Sequence, residues 1–244
     1  MYNFFVKEKC NNLYEIRGGD FIHIKNVLRM KQGEQILVTY NEKTDLCEIE
    51  SFLDDCAIAK VLEENFKESE LPIKIYLFQG LPKSDKMELI IQKAVELGVY
   101  KIVPVEMNRC VVKLDDKKKN QKTERYNAIA EAGAKQCKRN IIPTVENVLS
   151  FNKAIELAKT LDLFIAHYES ETGIEGTKTA LSKIKSGMSV GIIIGPEGGF
   201  DDKEIEKVKQ IGGEVVSLGK RILRTETASI TALSMLMLYA EMYL

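Results

Sequence analysis

From residue 73 onward, short apolar runs alternate with segments of helical periodicity, and this alternation constrains the fold more than any other feature of the sequence. The run IKIYLFQG (73–80) has the length and content of a buried strand, and residues 84–97 carry apolar side chains at helical spacing. Ser84 is the expected N-cap of that helix, and Gly98 is its expected stop. The pattern continues, with further strands predicted at 101–105, 162–169, 189–195 and 214–219 and further helices at 124–139, 201–211 and 225–244. Such alternation predicts an α/β sheet with crossover connections.

The beginning of the chain has a different character. Residues 34–41 (EQILVTYN) and 45–53 (DLCEIESFL) show β-type alternation and are separated by a polar turn, which predicts a small β-barrel or sandwich. The polar, acidic run at 63–72 ends in proline and is the best candidate for a linker. We therefore expect two domains, 1–70 and 71–244.

Composition limits the kind of protein and the kind of site. Hydrophobic residues make up 45% of the 244 residues and charged residues 29%, which is ordinary for a globular protein. No apolar run approaches the roughly 20 residues of a membrane span, so no membrane association is expected. The five cysteines are odd in number and never spaced as C-x-x-C, and there are only two histidines, so we expect neither a disulfide framework nor a metal site. These features favour a reducing, cytoplasmic environment.

Charge is distributed unevenly, although the formal net charge is only -1. Residues 42–70 contain ten acidic and three basic residues, whereas residues 113–139 contain nine basic and four acidic ones. A local surplus of lysine and arginine is the electrostatic footprint of contact with a polyanion such as nucleic acid. Residues 113–139 are therefore the candidate polyanion contact.

The strand predicted at 189–195 leads into a glycine-rich loop, GPEGG (195–199). Its spacing matches neither G-x-G-x-x-G nor the phosphate loop of nucleotide hydrolases, and Glu197 would repel a phosphate. Glycines nevertheless let a ligand approach the backbone closely. Taken alone, the loop is as consistent with an ordinary strand-to-helix connection as with a ligand site.

A second loop changes that balance. The segment LGKRILRTETASITAL (218–233) also follows a predicted strand and supplies Arg221 and Arg224 beside Thr225 and Glu226. Alternatively, the arginines are surface charges and Thr225 is only a helix N-cap. Loops that follow parallel strands emerge at the same carboxyl edge of the sheet, where α/β folds place their ligands. The two loops together therefore favour a site.

Two further segments carry weaker signals. Lys83 and Lys86 open the helix in GLPKSDKMELIIQKAVELGV (80–99), where a solvated lysine pair is the commoner explanation. HIKNVLRMKQGE (23–34) mixes basic and apolar residues, which fits a helix or turn on a small RNA-binding barrel or a plain amphipathic helix equally well.

Several of these motifs occur together in one known family. LPKSDKMELIIQKAVELGV, IGPEGGF and LGKRILRTETA stand in the order and approximate spacing of the bacterial 16S ribosomal RNA uracil-N3 methyltransferases, and VLRMKQGE is similar to part of their first domain. Over nearly its whole length the chain resembles this ribosomal RNA small subunit methyltransferase E family, which belongs to the SPOUT superfamily.

The resemblance implies features that the residue patterns alone do not predict. It implies a SPOUT-type parallel sheet with a C-terminal trefoil knot, an exception to the rule that chains avoid threading loops. It also implies a small N-terminal PUA-like β-barrel domain that contacts RNA, S-adenosylmethionine as cofactor, and a homodimer that builds each active site across the subunit interface. The apolar last helix, 225–244, is expected to be buried or to face the partner subunit.

The family's cofactor loops can be carried over position by position. The cofactor-binding residues implied in this chain are Ala166, His167, Gly195, Pro196, Glu197, Gly198, Gly199, Leu218, Gly219, Ile222, Leu223, Arg224, Thr225 and Ala228. S-adenosylmethionine has no phosphate, and its adenine can be recognised by backbone groups that glycines expose. The missing phosphate-binding residues of the first loop are consistent with such a ligand.

The implied reaction transfers the sulfonium methyl group to N3 of a specific uridine in 16S rRNA, within the 30S subunit. N3 carries a proton, so the site needs a base, for which Glu197 is the candidate, and Arg221 or Arg224 is the candidate for balancing charge on the uracil oxygens. N3 lies on the Watson-Crick edge, so the uridine must be unpaired or flipped. The residues expected to contact RNA are Arg29, Lys83, Arg109, Gln136, Lys138 and Arg139.

Two other classes of function remain open from the sequence. A dinucleotide-dependent oxidoreductase on a doubly wound sheet is disfavoured because G-x-G-x-x-G and an acidic ribose partner are missing. A non-catalytic RNA-binding protein would need only the small β-domain and the basic helix. Binding of S-adenosylmethionine or of NADH separates the three possibilities.

Overall fold

The computed structural model of the protein describes residues 1–168 and 173–244. Glu169, the last residue of the strand expected at 162–169, lies outside the described residues. Within these ranges no helix has the length and apolar character needed to cross a membrane. Contacts between Cα atoms divide the chain into two compact units.

The two units do not follow a single boundary in the sequence. The first unit contains Met1–Glu70 and Ala134–Ile142, and the second contains Leu71–Gly133 and Pro143–Leu244. The chain passes from the first unit to the second after Glu70. A division into 1–70 and 71–244 therefore omits one short segment that returns to the first unit.

The first unit contains one five-stranded sheet. Its strands are β1 (Asn3–Phe5), β2 (Leu13–Arg17), β3 (Gln35–Tyr40), β4 (Lys43–Phe52) and β5 (Cys56–Lys67), and its helical segments are α1 (Gly18–Ile22) and a π-helical turn (His23–Val27). The strand order is β1-β3-β4-β5-β2, in which only the β1–β3 pair is parallel. Asn41 and Glu42 connect β3 to β4 with φ angles of 47° and 63°, as two-residue hairpin turns require. The strands predicted at 34–41 and 45–53 are present as β3 and β4.

The segment Ala134–Ile142 is fixed to the first unit by buried polar contacts. The Arg139 guanidinium pairs with the carboxylate of Glu70, and its side chain is only 4% exposed. The Asn140 side chain is buried and donates to the hydroxyl of Thr44 at 2.9 Å. Arg139 was predicted to contact RNA, and the structure instead pairs its buried guanidinium with a carboxylate inside its own unit.

The second unit contains a parallel sheet. Its strands are β6 (Lys74–Gly80), β7 (Val99–Glu106), β8 (Thr144–Val145), β9 (Leu149–Ser150), β10 (Leu163–His167), β11 (Ser189–Ile194) and β12 (Glu214–Val216). Its helices are α2 (Lys86–Glu96), α3 (Asp116–Cys137), α4 (Phe151–Ala158), α5 (Gly173–Ser182), α6 (Asp202–Gln210) and α7 (Thr225–Tyr243), and the last turn of α3 belongs to the first unit. The strand order is β12-β10-β11-β6-β7-β8, β9 also pairs with β7, and every pair is parallel. The predicted parallel α/β sheet is confirmed.

Burial explains why the central strands read as continuous apolar runs. Every residue of β11 from Val190 to Ile194 is buried, as expected for a parallel strand whose two faces are both covered. Phe78 of β6 and Phe164 of β10 meet edge to face, with their ring centroids 5.2 Å apart. Full burial of a side chain such as Phe78 stabilises a fold by about 1.5–3 kcal/mol.

The start of α2 differs from the prediction, whereas its end agrees with it. Ser84 has a φ of 55° and is not the N-cap, which is Asp85. A left-handed serine cannot occupy the extended N-cap conformation. Gly98, with a φ of 83°, follows the last helical turn as predicted, and a side chain there would overlap Leu71.

The start of α6 confirms the capping box that the sequence indicates. The side chain of Asp201 accepts from Lys203 N, and the Glu204 side chain accepts from Asp201 N. In α7 the N-cap position is Arg224 rather than Thr225, which is the first residue of the helix. The interpretation of Thr225 as only an N-cap is therefore wrong.

Candidate active site

The carboxyl ends of β12, β10 and β11 lie side by side, and a cavity of about 510 Å³ lies there, lined by the loops after β11 and β12 and by His167 and Tyr168 at the end of β10. The starts of α2 and α7 contribute to its wall through Lys86 and Thr225. This volume lies within the range of small-molecule sites, which is about 300–1,000 Å³. The predicted convergence of two polar loops on one edge of the sheet is therefore present.

Most of the residues predicted to bind the cofactor line this cavity. They are His167, Gly195, Pro196, Glu197, Gly199, Gly219, Ile222, Leu223, Arg224, Thr225 and Ala228, and the predicted catalytic residue Arg221 is also in the lining. Ala166, Gly198 and Leu218 were predicted as well but do not line it. Ala166 is fully buried within β10.

The loop after β11 is a tight turn that requires its glycines. Gly199 N donates to Pro196 O at 2.9 Å, and Gly199 has a φ of 68°. A Cβ on Gly195 would stand 3.2 Å from the backbone of Gly199, which is closer than ordinary van der Waals contact, so the two ends of the turn lie close together. The loop lines the cavity with Gly195, Pro196, Glu197 and Gly199.

A buried hydrogen-bond network fixes this loop to β6 and α7. The Thr225 hydroxyl donates to Gly195 O at 2.7 Å and accepts from Gln79 Nε2 at 3.0 Å. Ser229 donates to Gln79 Oε1 in turn, and all three side chains are buried. Sequence reasoning missed Gln79 and Ser229, although one amide within an apolar strand is a signal, because a buried amide requires partners.

Glu197 is paired with a lysine beside the cavity. Its Oε1 atom accepts from Lys83 N at 3.0 Å and lies 3.1 Å from Lys86 Nζ. The same ammonium lies 3.2 Å from Glu226 Oε2. Lys86 is therefore not the solvated lysine that its sequence context suggested.

These contacts determine the charge of Glu197. Burial raises the pKa of its carboxyl, but the hydrogen bonds from its own N–H and from Lys83 N–H, with the ion pair to Lys86, outweigh burial and leave the pKa below its ordinary value. The pKa of Lys86 is raised, first by Glu197 and then by Glu226. Both groups are therefore ionised at neutral pH.

Three arginines surround the same cavity. Arg109, Arg221 and Arg224 are all exposed residues that line it. The Nη1 atom of Arg109 donates to Gly198 O at 3.2 Å, which ties the chain after β7 to the glycine-rich loop. Arg109 was predicted to contact RNA, and the structure places it beside the predicted cofactor residues.

An aromatic and imidazole wall closes the side of the cavity near β10. The ring of Tyr168 meets the buried ring of Phe200 edge to face at 6.2 Å. Burial lowers the pKa of His167. The contact of its Nδ1 with Val216 O, at 3.4 Å, raises the pKa by a smaller amount, so the imidazole is neutral at pH 7. Sequence reasoning missed Tyr168 and Phe200 as lining residues.

The basic segment 113–139 carries less available positive charge than its composition suggests. Several of its cations have acidic partners, in the pairs Lys118–Asp115, Lys119–Glu106, Arg125–Glu88, Lys135–Asp20 and Arg139–Glu70. Lys117 and Gln136 are exposed, whereas Lys138 is half-buried with a φ of 59°. Arg29 and Lys83, which were also predicted to contact RNA, are exposed.

The parallel sheet, with two polar loops over a cavity at its carboxyl edge, defines an α/β protein with a cavity of small-molecule size where such folds place their ligands. A family model described as an RNA methyltransferase domain matches residues 69–237. The chain belongs to this RNA methyltransferase family.

Individual relatives extend the similarity over nearly the whole chain. The ribosomal RNA small subunit methyltransferase E of Bacillus subtilis (strain 168) is 41% identical over 234 residues, which cover 94% of this chain and 91% of the relative. A solved methyltransferase from Legionella pneumophila with bound cofactor SAM has a TM-score of 0.82, 32% identity and 96% coverage of both chains. The ribosomal RNA small subunit methyltransferase E of Neisseria gonorrhoeae, solved with bound S-adenosyl methionine, has a TM-score of 0.81, 27% identity and 96% coverage of both chains.

Proposed function

We propose that the protein binds S-adenosylmethionine and methylates N3 of a specific uridine in 16S rRNA of the small ribosomal subunit. The observation that carries the proposal is the cavity between the loops after β11 and β12, in a chain similar to ribosomal RNA small subunit methyltransferases. The two solved relatives with this cofactor bound share the fold of this chain over 96% of their length.

The residues of the cavity fit S-adenosylmethionine as a ligand. The turn at 195–199 brings Gly195 and Gly199 close together, and its glycines leave peptide groups accessible to a ligand. The ionised Glu197 carboxylate would repel a phosphate group. S-adenosylmethionine has no phosphate, so this repulsion does not arise. We assign the cofactor to the lining residues of the two loops and to His167. Ala166, Gly198 and Leu218 are adjacent in sequence to these residues and outside the lining.

Two kinds of side chain carry out the chemistry in this proposal. When bound, the cofactor supplies an electrophilic methyl group. Glu197 accepts the N3 proton in this proposal: it is ionised at neutral pH, and its lowered pKa makes it a weaker base than an ordinary carboxylate. Arg221 or Arg224 balances the negative charge that the uracil oxygens acquire when the proton leaves.

The assignment of Glu197 can be tested by single-turnover methylation. Replacing Glu197 by Gln removes the proton acceptor while preserving side-chain size, and general-base catalysis contributes about 10²–10⁴-fold to a rate. Glu96→Gln, at the far end of α2, is the matched control. Near-normal turnover of Glu197→Gln would exclude Glu197 as the base.

Several finer features belong to the same proposal. We propose that the C-terminal part of the second unit is a trefoil knot and that the first unit is a PUA-like RNA-binding barrel. We also propose a homodimer, for which the exposed apolar side chains of Leu238, Met242 and Tyr243 near the end of α7 give support. The enzyme would act in the cytoplasm, where ribosomal subunits are its substrate.

The contacts to rRNA are proposed for exposed or half-buried polar residues. They are Arg29, Lys83, Arg109, Gln136 and Lys138. Lys117 is an additional candidate, because it is exposed on α3. Phosphate contacts of this kind position the RNA, and the cavity selects the uridine.

Calorimetric titration tests the cofactor assignment directly. We expect S-adenosylmethionine to bind at one site per chain and NADH not to bind. Binding of NADH alone would indicate an oxidoreductase. Binding of rRNA without either cofactor would indicate an RNA-binding protein with no transferase activity.

A further inference from the structure

Lys86 joins three segments that are distant in sequence. It is the first residue of α2, and its ammonium lies 3.1 Å from Glu197 in the loop after β11 and 3.2 Å from Glu226 at the start of α7. Its side chain is 31% exposed, and those of the two glutamates are 25% and 15% exposed. One cation therefore balances two partly buried carboxylates at the edge of the cavity.

The other charged groups around the cavity do not replace Lys86 in this arrangement. Arg109 is directed to a backbone carbonyl, and Arg221 and Arg224 are exposed on the loop after β12. His167, at the end of β10, is neutral because burial lowers its pKa. Within the described residues, Lys86 is the cationic side chain that forms an ion pair with Glu197.

The backbone of the glycine-rich loop is held in a different way. Gly195 is fixed by the Thr225 hydroxyl and Gln79, and the turn itself is closed by Gly199 N and Pro196 O. None of these bonds involves Lys86. Loss of the ammonium should therefore disturb the Glu197 side chain while leaving the backbone lining of the cavity in place.

We infer that Lys86 is a positioning residue for methyl transfer: its ammonium, shared between Glu197 and Glu226, fixes the Glu197 carboxylate beside the cavity. The inference rests on the proposed function, because it gives Lys86 a task in the transfer to uridine. Lys86 acts through Glu197 and does not itself take the proton.

The geometry predicts opposite pH effects for loss of Lys86, which pairs with Glu197, and for loss of Glu226, which shares the same ammonium. Without the ammonium, the pKa of Glu197 rises, so the acid limb of the rate profile moves to higher pH. Without the charge of Glu226, a like charge is removed and Lys86 serves Glu197 alone, so the acid limb moves to lower pH. If Lys86 only stabilised the fold, the acid limb would stay at the same pH in both variants.

The experiment measures single-turnover methylation of rRNA at saturating S-adenosylmethionine between pH 3 and 8, which includes the range below the ordinary pKa of a glutamate, as well as cofactor affinity by calorimetry. The variants are Lys86→Met, Lys86→Arg and Glu226→Gln. Lys93→Met is the matched control, because Lys93 lies on the same helix and pairs only with the solvent-side Glu96 among the described residues.

We expect Lys86→Met to transfer methyl about tenfold more slowly than Lys93→Met at pH 7, since a misplaced base loses part of its about 10²–10⁴-fold contribution. Its Kd for S-adenosylmethionine should differ from that of Lys93→Met by no more than about threefold. Lys86→Arg should restore the position of the acid limb. Glu226→Gln should move it to lower pH.

A Lys86→Met protein with the methyl-transfer rate and the acid-limb position of the unmodified protein would overturn the inference. Absence of methyl transfer by the unmodified protein would overturn the proposed function instead. If Lys86→Met does not fold, Glu226→Gln decides, and an unshifted acid limb in that variant contradicts the role of Lys86.

Discussion

Gly80, the last residue of β6, is predicted to be indispensable for the shape of the cavity. A Cβ at this position would stand 2.6 Å from Pro196 Cδ, 2.7 Å from Pro196 N and 2.9 Å from Met107 Sδ. Carbon atoms in contact are normally about 3.5–4.0 Å apart, so Gly80→Ala requires a displacement of about 1 Å. The flexible thioether of Met107 can move away from the new Cβ. Pro196 belongs to the glycine-rich loop, so a displacement of Pro196 also displaces that loop.

The cost of Gly80→Ala follows from this overlap. Overpacking of this kind costs about 1–3 kcal/mol. The cost is divided between the free energy of unfolding and the free energy of cofactor binding, because the loop relieves the overlap by moving within the lining of the cavity. If the whole cost falls on cofactor binding, the affinity falls by between about fivefold and about 150-fold. If the whole cost falls on the free energy of unfolding, Tm falls by roughly 2–12 °C.

Two measurements on the same protein preparation test this prediction. Calorimetric titration with S-adenosylmethionine gives Kd, and thermal unfolding without ligand gives Tm. Gly19→Ala is the matched control, since a Cβ at Gly19 meets no atom within 4 Å and Gly19 has no positive φ. A Gly80→Ala protein with the Kd and Tm of the Gly19→Ala protein would refute the argument that close approach to Pro196 shapes the site.

Two further predictions concern the buried network and the RNA contacts. Thr225→Val leaves Gly195 O without its hydroxyl donor and removes one of the two acceptors of Gln79 Nε2, which keeps Gly80 O. Because a buried group left unsatisfied costs about 1–3 kcal/mol, we expect weaker cofactor binding by calorimetry and recovery in Thr225→Ser. Wild-type affinity in Thr225→Val would contradict this. Charge reversal of Lys117 and Lys138 should lower rRNA affinity and reduce the slope of log K against log salt by about 0.7–0.9 for each phosphate that the protein no longer neutralises; an unchanged slope would exclude these two lysines as phosphate ligands.

Local periodicity was sufficient to predict most of the second unit. The strand at 189–195 could be identified because a parallel strand buried on both faces is apolar throughout. The capping box at Asp201 and Glu204 and the terminating Gly98 are also local signals, and each appears at the predicted position. The convergence of the two loops followed from the rule that parallel strands share one carboxyl edge.

Two features that the sequence did not predict depend on contacts between distant residues. Arg139 looked like a phosphate ligand because it ends a basic segment, but Glu70, far earlier in the chain, buries its guanidinium. Lys86 looked solvated because both of its partners, Glu197 and Glu226, lie more than 100 residues away. Charge patterns along a sequence do not show which cations already have partners, and such partners decide which charges remain for RNA.

The most direct test of the proposed function is to identify the methylated nucleoside. The protein is incubated with methyl-labelled S-adenosylmethionine and either 30S subunits or naked 16S rRNA lacking the modification, and the digested RNA is separated into nucleosides. We predict label in 3-methyluridine, at one position of the 16S rRNA, in at least one of the two substrates. Label in a different methylated nucleoside, or no label in either substrate, would contradict methyl transfer to uridine N3.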